Sequence, residues 1–336
     1  MKRAGVVAAL VGLAAGVAAQ DRPDIRADIR PDIRVDVELV TVACSVTDRG
    51  GAPVKNLTAS DFTIRDDGEP RTVTEFWQES DLPLTIGLVV DASGSQAEFV
   101  AQHRDTIERF LSQVLGERDR AFLVQINGQA RLVTDLTGSI EELREGVEKI
   151  GTREGSASPM LGERCRGPWK MGCGGTALWH GLYFAARKMR SSSTGADAGR
   201  KALIVLSDGM DTGSDKSVAD VIEAAEGAGV VVYAIKYESP LRFLSPALTL
   251  RQAFARGMER ISLETGGLTF PDPKRKVSEV FSQIEAELRN LYVLGFVPPE
   301  EARDGKFHKL KAVVSRPEVV VRTRAGYRAA KATGQD

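Results

Sequence analysis

The sequence predicts an α/β domain with a doubly wound, mainly parallel sheet, flanked by a β-sandwich built from N- and C-terminal segments. Three observations carry this. Leu84–Val90, Ala202–Leu206 and Val230–Lys236 are nearly continuous apolar runs, the mark of strands buried on both faces. Helical patterns separate these runs, and strands alternating with helices mean a parallel sheet covered on both sides. Outside residues 82–290 the pattern changes to short strands split by turn residues.

The elements follow in order. Lys2 and Arg3, the apolar stretch Val6–Val17 and the small residues Val17-Ala18-Ala19 have the layout of a signal peptide over 1–19. The apolar run is shorter than the ~20 residues a membrane span needs. Residues 20–34 repeat Asp-Ile-Arg three times, with Pro23 before the first and Pro31 before the last, which reads as an exposed linker. Over 35–81, Val35–Val46 alternates as a strand, and Asp48-Arg49-Gly50-Gly51 supplies turn chemistry that closes a hairpin. Phe62–Arg65 and Val73–Trp77 are further strands, with Asp66-Asp67-Gly68 as a turn. The domain at 82–290 opens on Leu84–Val90, followed by a helix over about 98–115. Strands are expected at Ala121–Ile126 and Arg131–Asp135, and helices at Ile140–Ile150, Ala177–Met189, Ser217–Ala228, Gln252–Thr265 and Val277–Asn290. Tyr237–Arg251 reads as an irregular insertion packed on the sheet edge. Residues 291–328 return to β, with strands at Leu291–Val297, His308–Ser315 and Val319–Thr323, and 329–336 form a tail. Neither β segment is long enough to bury a core alone, so the two are expected to make one sandwich.

Composition removes several function classes. The 336 residues carry 45 Lys+Arg against 46 Asp+Glu, a net charge of -1, which has no footprint for nucleic acid or an anionic membrane surface. Loss of Lys2 and Arg3 with the signal peptide would take the charge from -1 to -3. Only three His are present, which leaves little room for His-based metal or triad chemistry. His103 and His180 fall in helices, and His308 falls in the β region with no partner visible in sequence. Asn56-Leu57-Thr58 matches a glycosylation acceptor, a three-residue pattern of little weight by itself.

The chemistry concentrates at strand ends. Asp91-Ala92-Ser93-Gly94-Ser95 follows the first buried strand, and ligands of open α/β sheets sit outside the carboxyl ends of strands. Asp91, Ser93 and Ser95 are hard oxygen donors, which suits Mg²⁺ and not zinc or copper. Gly174-Gly175-Thr176 precedes a helix, and Asp208 follows the strand Ala202–Leu206 in Ser207-Asp208-Gly209. Two aspartates, two serines and a threonine from three loops supply the oxygen donors for an octahedral site, water and a partner's oxygen filling whatever positions they leave. The competing reading is a set of loops that use Asp and Ser to cap turns and helices.

The D-x-S-x-S run, the later Gly-Thr and the strand-ending S-D-G, in this order over about 82–290, resemble a von Willebrand factor type A domain and its metal-ion-dependent adhesion site. The flanks Val46–Gly51, Asp61-Phe62, Asp67-Gly68, Tyr292–Phe296 and Arg324–Tyr327 extend the resemblance to the exported bacterial "VWFA-related" proteins common in Acidobacteria. The resemblance implies that Asp91, Ser93 and Ser95 hold Mg²⁺ (or Mn²⁺ or Ca²⁺) and that Asp208 binds it directly or through water. Thr176 would engage when a partner binds. It further implies a protein partner presenting an acidic side chain, since a cation short of protein charge gains most from one more carboxylate.

Cys165 and Cys173 bracket a short loop ahead of Thr176. In an exported chain, periplasmic or secreted, a disulfide between them is expected, stabilising by roughly 2–3 kcal/mol in the chain-entropy model. Free thiols in a flexible insertion are the alternative, and Cys44 is left over, buried and inert. The resulting expectation is a non-enzymatic, cation-dependent binding module. A structural envelope-assembly protein without metal dependence comes next. A Mg²⁺-dependent phosphoester enzyme is third: dehalogenase-like chemistry needs a second Asp where Ser93 stands, and no phosphate loop or G-x-S-x-G elbow is present.

Overall fold

The computed structural model describes residues 39–79, 83–93, 97–151, 176–191, 200–236, 248–270 and 276–329. The signal-peptide and linker readings, Gly94, Ser95, Gly174, Gly175, Cys165 and Cys173 lie outside these residues.

The central sheet contains β5 (Leu84–Asp91), β6 (Arg120–Ile126), β7 (Ala130–Thr137), β8 (Arg200–Ser207), β9 (Val230–Lys236) and β10 (Thr269–Phe270). Their order is β10-β9-β8-β5-β6-β7, and only the edge strand β7 runs antiparallel to its neighbour. The apolar runs occupy the middle of the sheet because both faces there are covered. Ile86, Leu88 and Val90 pack with α1 (Ala97–Val114), α2 (Ile140–Lys149) and α6 (Val277–Arg289). Val89, Leu203 and Val205 pack on the other face with α3 (Leu178–Ser191), α4 (Val218–Ala228) and α5 (Leu248–Thr265). Gly87 allows this second packing: a Cβ there would lie 2.4 Å from Leu203 Cδ2 and 2.5 Å from Phe122 Cζ.

The flanking β segments interleave. β1 (Val40–Asp48) and β4 (Glu75–Glu79) pair with β11 (Leu291–Phe296), and β13 (Val319–Thr323) closes the sheet in the order β13-β1-β11-β4. β2 (Phe62–Asp66), β3 (Glu69–Arg71), β12 (Phe307–Val314) and β14 (Gly326–Arg328) form the second sheet, in the order β14-β12-β2-β3. Each sheet therefore needs strands from both ends of the chain. Val42, Cys44, Ile64, Tyr292, Leu294, Phe296 and Leu310 fill the space between them. β12 alternates strictly, turning His308, Leu310, Ala312 and Val314 inward.

Two expectations are corrected. Asp48–Gly51 does turn, with the Gly51 N–H donating to the Asp48 carbonyl, but it returns the chain only as far as Pro53. The next strand, β2, belongs to the other sheet, and β1 takes β11 and β13 as neighbours because they bury its apolar face. The helix expected from Gln252 begins at Leu248, so part of the supposed irregular insertion is helical. β3, β10 and β14, at two or three residues each, were too short to show a period.

Candidate metal centre

The crossover from β5 to β6 runs through α1 on one face of the sheet, and that from β8 to β9 runs through α4 on the other. The winding therefore reverses between β5 and β8, whose carboxyl ends frame the crevice where such sheets hold ligands. Asp91 ends β5, and Ser207-Asp208 ends β8.

Asp91 is 2% exposed. Its Oδ1 accepts the Ser93 N–H at 3.0 Å and its Oδ2 accepts the Ser207 hydroxyl at 2.8 Å. Burial pushes its pKa up to about 6, and the charge of Asp208 adds to the push against hydrogen bonds from Ser93 and Ser207. A bound cation would oppose that push and favour the ionised carboxylate. The donors around it are carboxylate and hydroxyl oxygens, so the described residues fit a hard divalent ion. Asp208 is half-buried, with Oδ1 accepting the Met210 N–H at 2.9 Å.

Thr176 is buried just ahead of α3 and is held by the loop that follows Asp208. Its N–H donates to Thr212 Oγ1 at 3.0 Å, and its carbonyl accepts the N–H groups of Thr212 and Gly213 at 3.0 and 3.1 Å. The Ala177 N–H reaches the Asn127 carbonyl beyond β6 at 3.0 Å, and the Ala92 N–H reaches the Ile126 carbonyl at 2.7 Å. The loops after β5, β6 and β8 are thus laced together: Ser93 and Ser207 bond to Asp91, Asp208 acts on it by charge, and Thr176 is joined to the loop after β8. Ser95 lies outside the described residues.

Ser207 and Asp211, to which the sequence reading gave no role, complete the support together with His180. Ser207 donates to Asp91 while its Oγ accepts the Gly209 N–H at 3.0 Å. Asp211, buried, accepts the Trp179 N–H at 3.1 Å and the Ser214 hydroxyl at 2.5 Å, so it caps α3 from the β8 loop. His180 is tied to the same loop, its N–H to Ser214 Oγ at 2.9 Å and its Nδ1 facing Asp215 Oδ1 at 2.6 Å. The density of Asp, Ser and Thr over 207–215 was the available signal. Cys44 is fully buried, and burial pushes its thiol up to about 12, which makes it inert.

No family model matches the chain, and no curated protein matches it. Among solved structures, a von Willebrand factor type A protein from Catenulispora acidiphila is 12% identical, over 90% of this chain and 76% of that one, with a TM-score of 0.45. An aerotolerance-related membrane protein from Bacteroides fragilis is 16% identical, over 61% and 98%, with a TM-score of 0.41. Proximal thread matrix protein 1 from the mussel byssus, with a zinc-occupied MIDAS motif, is 17% identical, over 66% and 49%, with a TM-score of 0.43. Likenesses this weak carry no argument, and the fold rests on the strand order. The strand order gives a doubly wound, mainly parallel sheet with D-x-S and S-D-G by the two strand ends of its switch point and flanking antiparallel sheets, the α/β class that the sequence predicts.

Proposed function

We propose that this chain is an exported, cation-dependent binding module that captures an acidic group of a protein partner. The observation that carries the reading is Asp91: a carboxylate buried at the switch point, hydrogen-bonded by Ser93 and Ser207 and acted on by the charge of Asp208. Asp91, Ser93, Ser95, Thr176 and Asp208 would hold Mg²⁺, with Mn²⁺ and Ca²⁺ as further candidates. The bound ion would supply a Lewis-acidic position that a partner's carboxylate completes. The lacing of Thr176 to the loop after Asp208 supports a role for it in coupling partner binding to that loop. Binding rather than catalysis is favoured because Ser93 stands where phosphoryl-transfer chemistry of the aspartate type needs a second acid. Export rests on the signal-peptide pattern at 1–19, and among the described residues no helix is long and apolar enough to cross a membrane.

The test is thermal unfolding of the protein in EDTA and then in Mg²⁺, Mn²⁺ or Ca²⁺, beside Asp91→Asn. Selective binding to the folded state stabilises by about 2.7 kcal/mol at a hundredfold excess over Kd. Wild type is expected to gain stability with Mg²⁺ and the variant is not. An equal response in both proteins would sink the proposal.

A further inference from the structure

A second cluster lies in the sandwich, in a different sheet from Asp91. Asp66 ends β2 and is wholly buried. Its Oδ2 accepts Arg71 Nε–H at 3.1 Å and the Tyr327 hydroxyl at 3.4 Å. Among the described residues its Oδ1 has no hydrogen-bond partner, and it lies 3.8 Å from His308 Nδ1. Asp67 follows at a backbone φ of 50°, and the Lys309 N–H holds its Oδ1 at 2.8 Å. That leaves Asp67 Oδ2 at 2.9 Å from the same His308 Nδ1. The three ligand atoms lie within 4.8 Å of one another.

The other side of the imidazole is also occupied. His308 Nε2 faces Asp304 Oδ1 at 3.2 Å, and the Lys306 N–H fixes that oxygen at 2.7 Å. The ring stacks on Tyr327 at 5.4 Å. Both ring nitrogens thus face carboxylate oxygens, and a neutral imidazole has only one N–H to offer. With that proton on Nε2, directed at Asp304, the Nδ1 lone pair points at Asp66 and Asp67. A proton on Nδ1 would satisfy Asp67 and still leave the buried Asp66 Oδ1 without a partner.

We propose that Asp66, Asp67 and His308 bind a divalent transition-metal ion of the zinc type. One ion would be ligated by His308 Nδ1, Asp66 Oδ1 and Asp67 Oδ2, with water in the fourth position. The Nδ1 to oxygen separations of 2.9 and 3.8 Å bracket the edge of about 3.4 Å that a tetrahedron with ~2.1 Å metal–ligand bonds requires. Asp304 acts as the outer partner that fixes the tautomer, the arrangement that commonly orients a metal-binding histidine. The ion would clip the β2–β3 turn to β12, joining segments from the two ends of the chain.

The experiment uses untagged full-length protein carrying Asp91→Asn, so that the site at β5 is silent and failure here is separate from failure there. After EDTA and dialysis, Zn²⁺ alone is titrated by calorimetry, and Co²⁺ is added to a second sample for its visible spectrum. One equivalent of Zn²⁺ and an intense tetrahedral Co²⁺ band are expected. Further Asp67→Asn should abolish both. Asparagine tolerates the left-handed backbone of position 67, and circular dichroism checks that this variant folds. Asp304→Asn should weaken Zn²⁺ binding roughly 10–100-fold. No uptake of Zn²⁺, or uptake unchanged by both Asp67→Asn and His308→Gln, would overturn the proposal and leave His308 as a hydrogen-bonding partner of the carboxylates around it.

Discussion

Asp91, Asp119 and Glu226 show how one chemical group takes different values by environment. Burial opposes ionisation of Asp119, but the N–H groups of Gly116 and Leu84 and the Arg289 guanidinium outweigh it and hold its carboxyl below the usual range. Asp91 has hydrogen bonds but, among the described residues, no cationic side chain acting on it, and it rises to about 6. Glu226, near the end of α4, is pushed up to about 7 by burial and then by Glu264, against the pull of Arg324 and Arg328. A carboxyl whose pKa is higher folded than unfolded binds protons on folding. Its contribution to stability is full below the ordinary value of 4.5 and is lost as pH rises through about 7. Metal-free protein is therefore expected to melt at a higher temperature at the acid side of this window than above it. Glu226→Gln should flatten the dependence, as read from melting temperature against pH in EDTA. Asp91 contributes in the same direction below about 6.

Among the elements, α3 is the one whose start matters most for the site. It has no cap of its own in sequence, and Asp211 from the β8 loop supplies it by accepting the Trp179 N–H, with its charge favourably placed at the helix N-terminus. Asp211→Ala is expected to cost about 1–2 kcal/mol in urea unfolding, the range of a lost N-cap. It should also weaken the Mg²⁺ response, because the loop it anchors holds Thr176. By contrast α4 was legible directly: Ser217 and Asp220 form a capping box, and Gly229 ends the helix at φ 65°. The same difference separates the strands. β5, β8 and β9 announce themselves because burial on both faces demands continuous apolar residues. β3 is three residues of a turn-and-return and carries no such demand.

For the molecule as a whole, the sandwich is assembled only when the two ends of the chain meet. β1 lies between β11 and β13, and β2 lies against β12. α6 runs into β11 across Asn290 alone, so the α/β domain presents the C-terminal strands to the N-terminal ones. Glu287 of α6 forms a buried ion pair with Arg322 of β13, and the Ala325 N–H donates to the Glu264 carbonyl of α5, so the two parts are joined by polar contacts as well. A fragment ending before β5 is therefore expected to stay unfolded by circular dichroism. A stable, cooperatively melting 35–80 fragment would contradict this organisation.

The sequence by itself determined the α/β class, the order of the main strands and helices, and the position of Asp91 at a strand end and of Ser93, Thr176 and Asp208 in loops. These are local properties: apolar runs, helical spacing and oxygen-bearing side chains at strand ends. Only the tertiary structure decided that β1 pairs across the whole domain instead of closing a hairpin. Only it assigned Ser207 and Asp211 their roles around Asp91 and Thr176, and it supplied His308 with three carboxylates from positions 66, 67 and 304. Those outcomes depend on contacts between residues far apart in the chain, which burial of a shared core selects and no local pattern encodes.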